Sequence, residues 1–183
     1  APALVQAEAL SAGDCRGVSI LTGGRRETVL FRPAAADASQ QAAGLSFTGR
    51  VASVAVNEAE RALSWMLADG TRLAQGETVL FTASTAVSAA AEYAPTAARS
   101  MAWVRHDGDT RVQLRLPERP GQVWTAPAQA PEQAARAAVA WADGVLSLDL
   151  KGRGTTVLWI DPARDLATAP AALTLTLADS RGS

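Results

Sequence analysis

The side chains with chemistry to offer are few: one histidine, one cysteine, five tryptophans, and a basic set in which every residue but Lys151 is arginine. His106 stands in Arg105-His106-Asp107-Gly108-Asp109, where the nearby carboxylates could orient an imidazole as a general base or metal ligand. The same residues also read as turn chemistry, an Asp-Gly between two strands with a surface histidine beside it, and that is the stronger reading. Cys15 lies between Asp14 and Arg16. An arginine beside a thiol lowers its pKa, but no second group is placed to activate it, so the residue reads as a free thiol or a partly buried small side chain. A zinc or transition-metal site needs several convergent ligands, which one His and one Cys far apart in the chain do not supply. Oxygen-only calcium binding at Asp107, Asp109 or the Asp161/Asp165 pair has no EF-type spacing behind it. The sequence therefore predicts no metal and no cofactor. It also lacks the G-x-S-x-G elbow, the phosphate loop and the dinucleotide fingerprint. Gly23-Gly24-Arg25-Arg26 and Lys151-Gly152-Arg153-Gly154 precede no helical pattern and read as turns.

The tryptophans and arginines carry more. Exposed indole rings stack on sugar faces, and guanidinium forks bind carboxylates or sulfates in two-point fashion. A platform built from Trp103, Trp124 or Trp141 with Arg105, Arg115 or Arg119 would suit an acidic glycan. The competing reading is that the rings fill a core. Trp65 and Trp159 lie inside apolar strands and are predicted to do so, whereas Trp124 and Trp141 sit beside Pro, Ala and Gly loops, where a ring can face a ligand or another domain.

These residues must be positioned by strands. Thr110–Leu116 (TRVQLRL), Val145–Leu150 (VLSLDL), Thr155–Ile160 (TTVLWI) and Ala172–Ala178 (ALTLTLA) alternate with a period near two, the pattern of strands with one buried and one wet face. Upstream, Val18–Leu21, Thr28–Arg32, a stretch within Gly44–Val56, Ala62–Leu67 and Thr78–Thr82 also read as strands, and Ala86–Tyr93 is read as one rather than as a helix. Asp69-Gly70 and Asp143-Gly144 are read as hairpin turns. Residues 1–17 are mixed, Pro33–Ala43 reads as a loop, and Ala126–Arg136 as a loop with a short helical turn. Pro95 within Ala94–Arg99 marks the best candidate boundary. Turn signals every ten residues or so favour a meander or sandwich over βαβ units.

At 183 residues the chain can bury a sizeable core, and its net charge of −1 gives no electrostatic case for nucleic acid or an anionic membrane. Its strongly apolar runs are strand-length, so no membrane insertion is expected. Abundant alanine and arginine point to a GC-rich bacterial genome. Ala1-Pro2-Ala3 fits either signal cleavage or an internal processing boundary.

From Gly108 to Ile160 the order is DTRVQLRLP, a valine–tryptophan strand, a Trp-x-Asp-Gly hairpin, VLSLDL, and a glycine-bracketed TTVLWI. This resembles the carboxyl-terminal β-sandwich of bacterial heparinase II/III-like and alginate-lyase-like polysaccharide lyases. Gly49–Thr82 is similar to the strand–Asp-Gly–strand pattern in the β-sheet part of those enzymes, and related terminal sandwiches follow catalytic domains in glycoside hydrolases. In the lyases the catalytic Tyr, His, Asn and Arg groups lie mainly on an α/α-toroid, for which this sequence has no counterpart. Tyr93 and His106 match no motif of the family, so the resemblance implies no catalytic residue here. It implies an accessory sandwich beside a catalytic unit.

The sequence is thus expected to form an all-β, antiparallel β-sandwich, in two packed subdomains at 1–94 and 95–183 or as one continuous domain. Three functions are expected to compete. The first is a noncatalytic accessory module of a periplasmic or secreted polysaccharide lyase acting on an acidic polysaccharide, its partner being the catalytic domain or a partner subunit. The second is an independent glycan-binding or adhesion module of the cell envelope, and the third a noncatalytic subunit of a hetero-complex. A large apolar outer face would favour the accessory or subunit reading. A shallow groove of tryptophan and arginine would favour glycan binding.

Overall fold

The computed structural model describes residues 5–33, 38–93 and 99–162. Among the described residues the chain is antiparallel β apart from one 3-10 turn at Pro131–Gln133. The strands are β1 (Val5–Ala12), β2 (Cys15–Thr22), β3 (Arg25–Phe31), β4 (Gln40–Ala42), β5 (Leu45–Thr48), β6 (Val51–Val56), β7 (Ala62–Gln75) and β8 (Thr78–Glu92). They continue with β9 (Ser100–His106), β10 (Thr110–Arg115), β11 (Pro120–Pro127), β12 (Ala135–Arg136), β13 (Ala140–Ala142), β14 (Val145–Leu150) and β15 (Gly154–Pro162).

Two layers arise because one hairpin belongs to both. The larger sheet runs β1-β2-β3-β6-β7-β8-β9-β15-β11-β12. The smaller runs β4-β5-β7-β8-β10-β14-β13. The first half of β7 pairs with β6 and with the last residues of β8, and its second half pairs with β5 and the start of β8. Between the halves the register breaks twice, at Leu67/Gly70 and Gly70/Arg72, and such bulges bend a strand pair. Gly70 is required there, because a Cβ on it would collide with the backbone carbonyl of Thr48.

The inward faces meet in one apolar cluster. Leu30, Ala52, Trp65, Leu67, Ala89 and Val104 come from the larger sheet and Phe47, Leu73, Phe81, Val112, Leu114 and Leu146 from the smaller. Trp65 and Phe81 touch across the layers with ring centroids 5.1 Å apart and planes tilted by 38°, a geometry worth about 0.5–1.5 kcal/mol beyond the area it buries. A polar chain reinforces that contact. The Trp65 indole N–H donates to the Tyr93 hydroxyl at 2.7 Å, and that hydroxyl donates to the Arg115 carbonyl at 2.7 Å. The strands before and after residues 94–98 share this core, and β8 pairs directly with β9.

The antiparallel sandwich expected from the alternating runs is the observed architecture, and Ala86–Tyr93 is strand up to Glu92. Several local expectations need correction. Asp69-Gly70 is not a hairpin turn: it lies inside the 14-residue β7, and the chain reverses between Gln75 and Thr78 instead. A two-residue type I′ turn needs φ above zero at both central residues. Asp143 and Gly144 meet this, at 52° and 79°, whereas of Asp69 and Gly70 only Asp69 does, at 52°. The stretch Gly44–Val56 divides into β5 and β6, the mixed start of the chain holds β1, and Gln40–Ala42 within the expected loop is β4. The predicted strand Ala172–Ala178 and Asp165 lie outside the described residues, as does most of the Ala94–Arg99 boundary.

Gly70→Ala should lower the urea midpoint without changing the slope, by about 2 kcal/mol, since the added methyl meets backbone that can move only by straining the bend. An unchanged midpoint would mean that the bend does not depend on that approach.

Candidate functional site

The two outer faces differ in chemistry. Cross-strand partners share a face, so the registers can be followed from strand to strand across each layer. On the outside of the larger sheet one row runs Ala9–Val18–Val29–Ser53–Met66–Ala90–Trp103–Val157–Ala126, with Ser53 its single polar member. The adjoining row on one side holds Ile20, Met101, Trp159 and Trp124 together with Glu27, Ser64, Glu92 and Arg136, and that on the other holds Phe31 and Val51 together with Arg16 and Arg105. The corresponding row on the smaller sheet is Thr48–Arg72–Thr82–Gln113–Ser147–Ala140. There Thr82 donates to Gln113 at 2.9 Å, Gln113 to Ser147 at 3.3 Å, and Arg72 to Ser46 at 3.1 Å. The small sheet thus has the wet face the alternation predicted, and the large sheet has an apolar stripe.

The six residues considered for glycan binding do not form one platform. Trp103 and Arg105 share the outer face of β9, Trp103 half-buried and Arg105 exposed. Trp124 is on the same outer face, on β11. Trp141 is opposite Leu146 on the smaller sheet and packs against the core. Arg115 directs its guanidinium to backbone, donating to the Val79 carbonyl at 3.1 Å and the Asp143 carbonyl at 3.4 Å. Arg119 is exposed beyond the end of β10. Trp65 fills the core as expected; Trp159 is buried but on the outer side of its sheet, between Trp124 and Met101. Nearby, the indole N–H groups of Trp124 and Trp159 and Asp161 Oδ2 are buried without a hydrogen-bond partner, while Asp161 Oδ1 is paired with Arg99. Thr155–Ile160, expected from its alternation to have one wet face, does not alternate in burial: Leu158 and Ile160 are buried inward and Trp159 is buried outward. The signal for the outward Met101 and Val157 was in SMAWV and TTVLWI, which carry apolar residues at successive positions, the mark of strands covered on both faces.

His106 is not at the surface, as its turn neighbours implied, but 3% exposed. Its Nδ1–H faces the Gly108 and Gly152 carbonyls, each at 3.0 Å, and Nε2 is hydrogen-bonded with the Thr156 hydroxyl at 3.1 Å. The ring ties the β9–β10 turn to the β14–β15 connection and presents no free nitrogen. Asp109 accepts from the Gly152 N–H and from Lys151, which holds its carboxyl below the usual range. Cys15 is buried, and desolvation pushes its thiol pKa up, which disfavours the thiolate. Among the described residues no group of three His, Cys, Asp or Glu side chains is arranged to hold a metal ion.

One end of the sandwich opens into a cleft of about 420 Å³ lined by Arg61, Gln75, Thr78, Tyr93, Arg115 and Pro117 among others. Tyr93 is at its base, its hydroxyl engaged on both sides as described. No protein-family model matches the chain, and no curated protein matches it.

Burial pushes the Tyr93 phenol up to about 12. The folded state therefore keeps this proton after an unfolded chain, titrating near 10, has lost it. The stabilisation is complete below pH ~10 and falls by about 2–3 kcal/mol as the pH rises through 10 towards 12. Tyr93 is the single tyrosine, so tyrosinate absorbance reports it alone. That absorbance should stay low at the pH where free tyrosine is half ionised and rise with unfolding; titration at the free value would contradict the buried geometry.

Proposed function

We propose that this chain is a noncatalytic β-sandwich that docks, by the outer face of its larger sheet, against the catalytic domain or partner subunit of a bacterial carbohydrate-active protein. The observation that carries this reading is the nine-residue outer row with one polar member. The row crosses nine strands, so at ~4.8 Å per strand it is about 40 Å long. Ala126 at its β11 end is buried, and the flanking rows carry Glu27, Glu92, Arg16 and Arg105. An apolar row rimmed by charge in this way is the pattern of an interaction site. The hydrogen-bonded row on the smaller sheet is suited to water.

The resemblance of Gly108–Ile160 to lyase sandwiches supports a polysaccharide lyase acting on an acidic glycan as the parent activity, in the periplasm or outside the cell. Among the described residues, His106 is sequestered, Cys15 is buried and Tyr93 is a cross-layer tie. A second reading, an independent glycan-binding module, draws on Trp103 and Arg105 lying on one strand and one face.

Oxidative footprinting separates the states. Met66, Met101 and Trp103 should be oxidised in the isolated chain and protected several-fold in the intact parent protein or complex. Equal oxidation in both would contradict docking through this face. In calorimetry with alginate or heparin the isolated chain should show no saturable binding. Saturable binding lost in Trp103→Ala and in Arg105→Ala would instead favour the second reading.

A further inference from the structure

Among the described residues the larger sheet ends, on the β1 side, in an edge that no further strand pairs. Sheet edges in soluble proteins are kept short, charged, broken by proline or covered. The smaller sheet ends in strands of three residues, β4 and β13, and β12 at the far side of the larger sheet has two. β1 has eight residues, VQAEALSA, with no proline and no lysine, and among the described residues its only partner is β2. Its first five residues are exposed, so both of its faces are open there as well. The far end of the hairpin is fixed: Asp14 in the turn accepts two bonds from the buried Arg32, at 3.2 and 3.1 Å, and Cys15 is in the core.

The polarity of the free edge follows from the turn. Ala12 pairs with Cys15 across the two-residue turn Gly13–Asp14, which makes that a hydrogen-bonded pair. Bonding to β2 therefore uses Ala12, Leu10, Glu8 and Gln6, and leaves the N–H and C=O groups of Val5, Ala7, Ala9 and Ser11 pointing outward. We propose that this edge pairs antiparallel with the same edge of a second copy of the chain, about a twofold axis at Ala7.

The register is chosen by Glu8. An axis at Glu8 would set two carboxylates opposite each other, which destabilises a strand pair, and one at Ala9 would carry the overlap onto the end of β1 that leads into the Gly13 turn beside Gln40. With the axis at Ala7, Glu8 is opposite Gln6 of the second copy, an acceptor facing an amide donor. Ala7 then meets its own counterpart, and Val5 meets Ala9. Three hydrogen-bonded pairs form, about six main-chain bonds, and the contact is isologous, as a closed twofold dimer requires. The pairing is lateral and leaves the outer face of the sheet free, so it stands independently of the docking reading.

Sedimentation velocity on the full chain at micromolar concentration should show a dimer. Ala7→Pro removes an outward N–H without touching the bonds to β2, and should abolish the dimer while leaving the circular dichroism unchanged. As a check that does not rely on proline, Ala7→Cys should crosslink two chains under mild oxidation. The two Cα atoms of a hydrogen-bonded pair are about 5.5 Å apart, within disulfide reach, and native Cys15 is buried. Ala9→Cys should not crosslink. A chain that is monomeric throughout overturns the inference and leaves the edge for a strand of another protein. So does a dimer that survives Ala7→Pro, or a crosslink through Ala9→Cys in place of Ala7→Cys.

Discussion

At Gly70 the backbone of β7 passes so close to the Thr48 carbonyl that no side chain fits between them. That approach lets a single hairpin leave one sheet and enter the other. Because β7 and β8 contribute to both layers, the layers need no separate means of alignment. The bend sets the distance and angle at which Trp65 meets Phe81, and the Trp65–Tyr93–Arg115 chain holds the same gap through hydrogen bonds. Polar groups at such depth stabilise only when every member is satisfied, and here the Tyr93 hydroxyl both accepts and donates.

With the layers fixed inward, each sheet is left with one outer face, and the two have diverged. The smaller sheet spends its outward positions on serine, threonine, glutamine and arginine that bond to one another. The larger carries a central row of alanine, valine, methionine and tryptophan with one serine, rimmed by charged residues such as Glu27, Glu92, Arg16 and Arg105. The proposed docking rests on the second arrangement. The few reactive side chains fit the same picture. His106 and Asp109 clasp the turns at one end, Arg32 and Asp14 another, and among the described residues none converges with a second reactive group on an open surface.

The sequence made the layers legible wherever one face is wet. TRVQLRL and VLSLDL alternate cleanly, and both are strands of the polar-faced sheet. It was less legible where both faces are apolar, since Met101-Ala102-Trp103-Val104 offers no contrast to say which residues point inward. Asp-Gly was informative at Asp143-Gly144 and misleading at Asp69-Gly70. The difference lies in the φ of the glycine, which depends on the approach of Thr48 from another strand. β1 was missed because four of its eight residues are alanine or serine, too small to mark a face. The burial of His106 was also invisible, because its partners at Gly152 and Thr156 come from distant parts of the chain. The glycan platform was assembled from residue types alone, and the topology distributes its members over both sheets and the sandwich end.

A structure of the intact parent protein or complex would show which face, if either, meets a neighbour. The prediction is that Met66, Trp103 and Val157 lie beneath the adjoining domain while Gln113 and Ser147 remain in solvent. A neighbour seated on the Gln113–Ser147 face, or an intact protein in which the Met66–Trp103–Val157 row faces solvent, would contradict it.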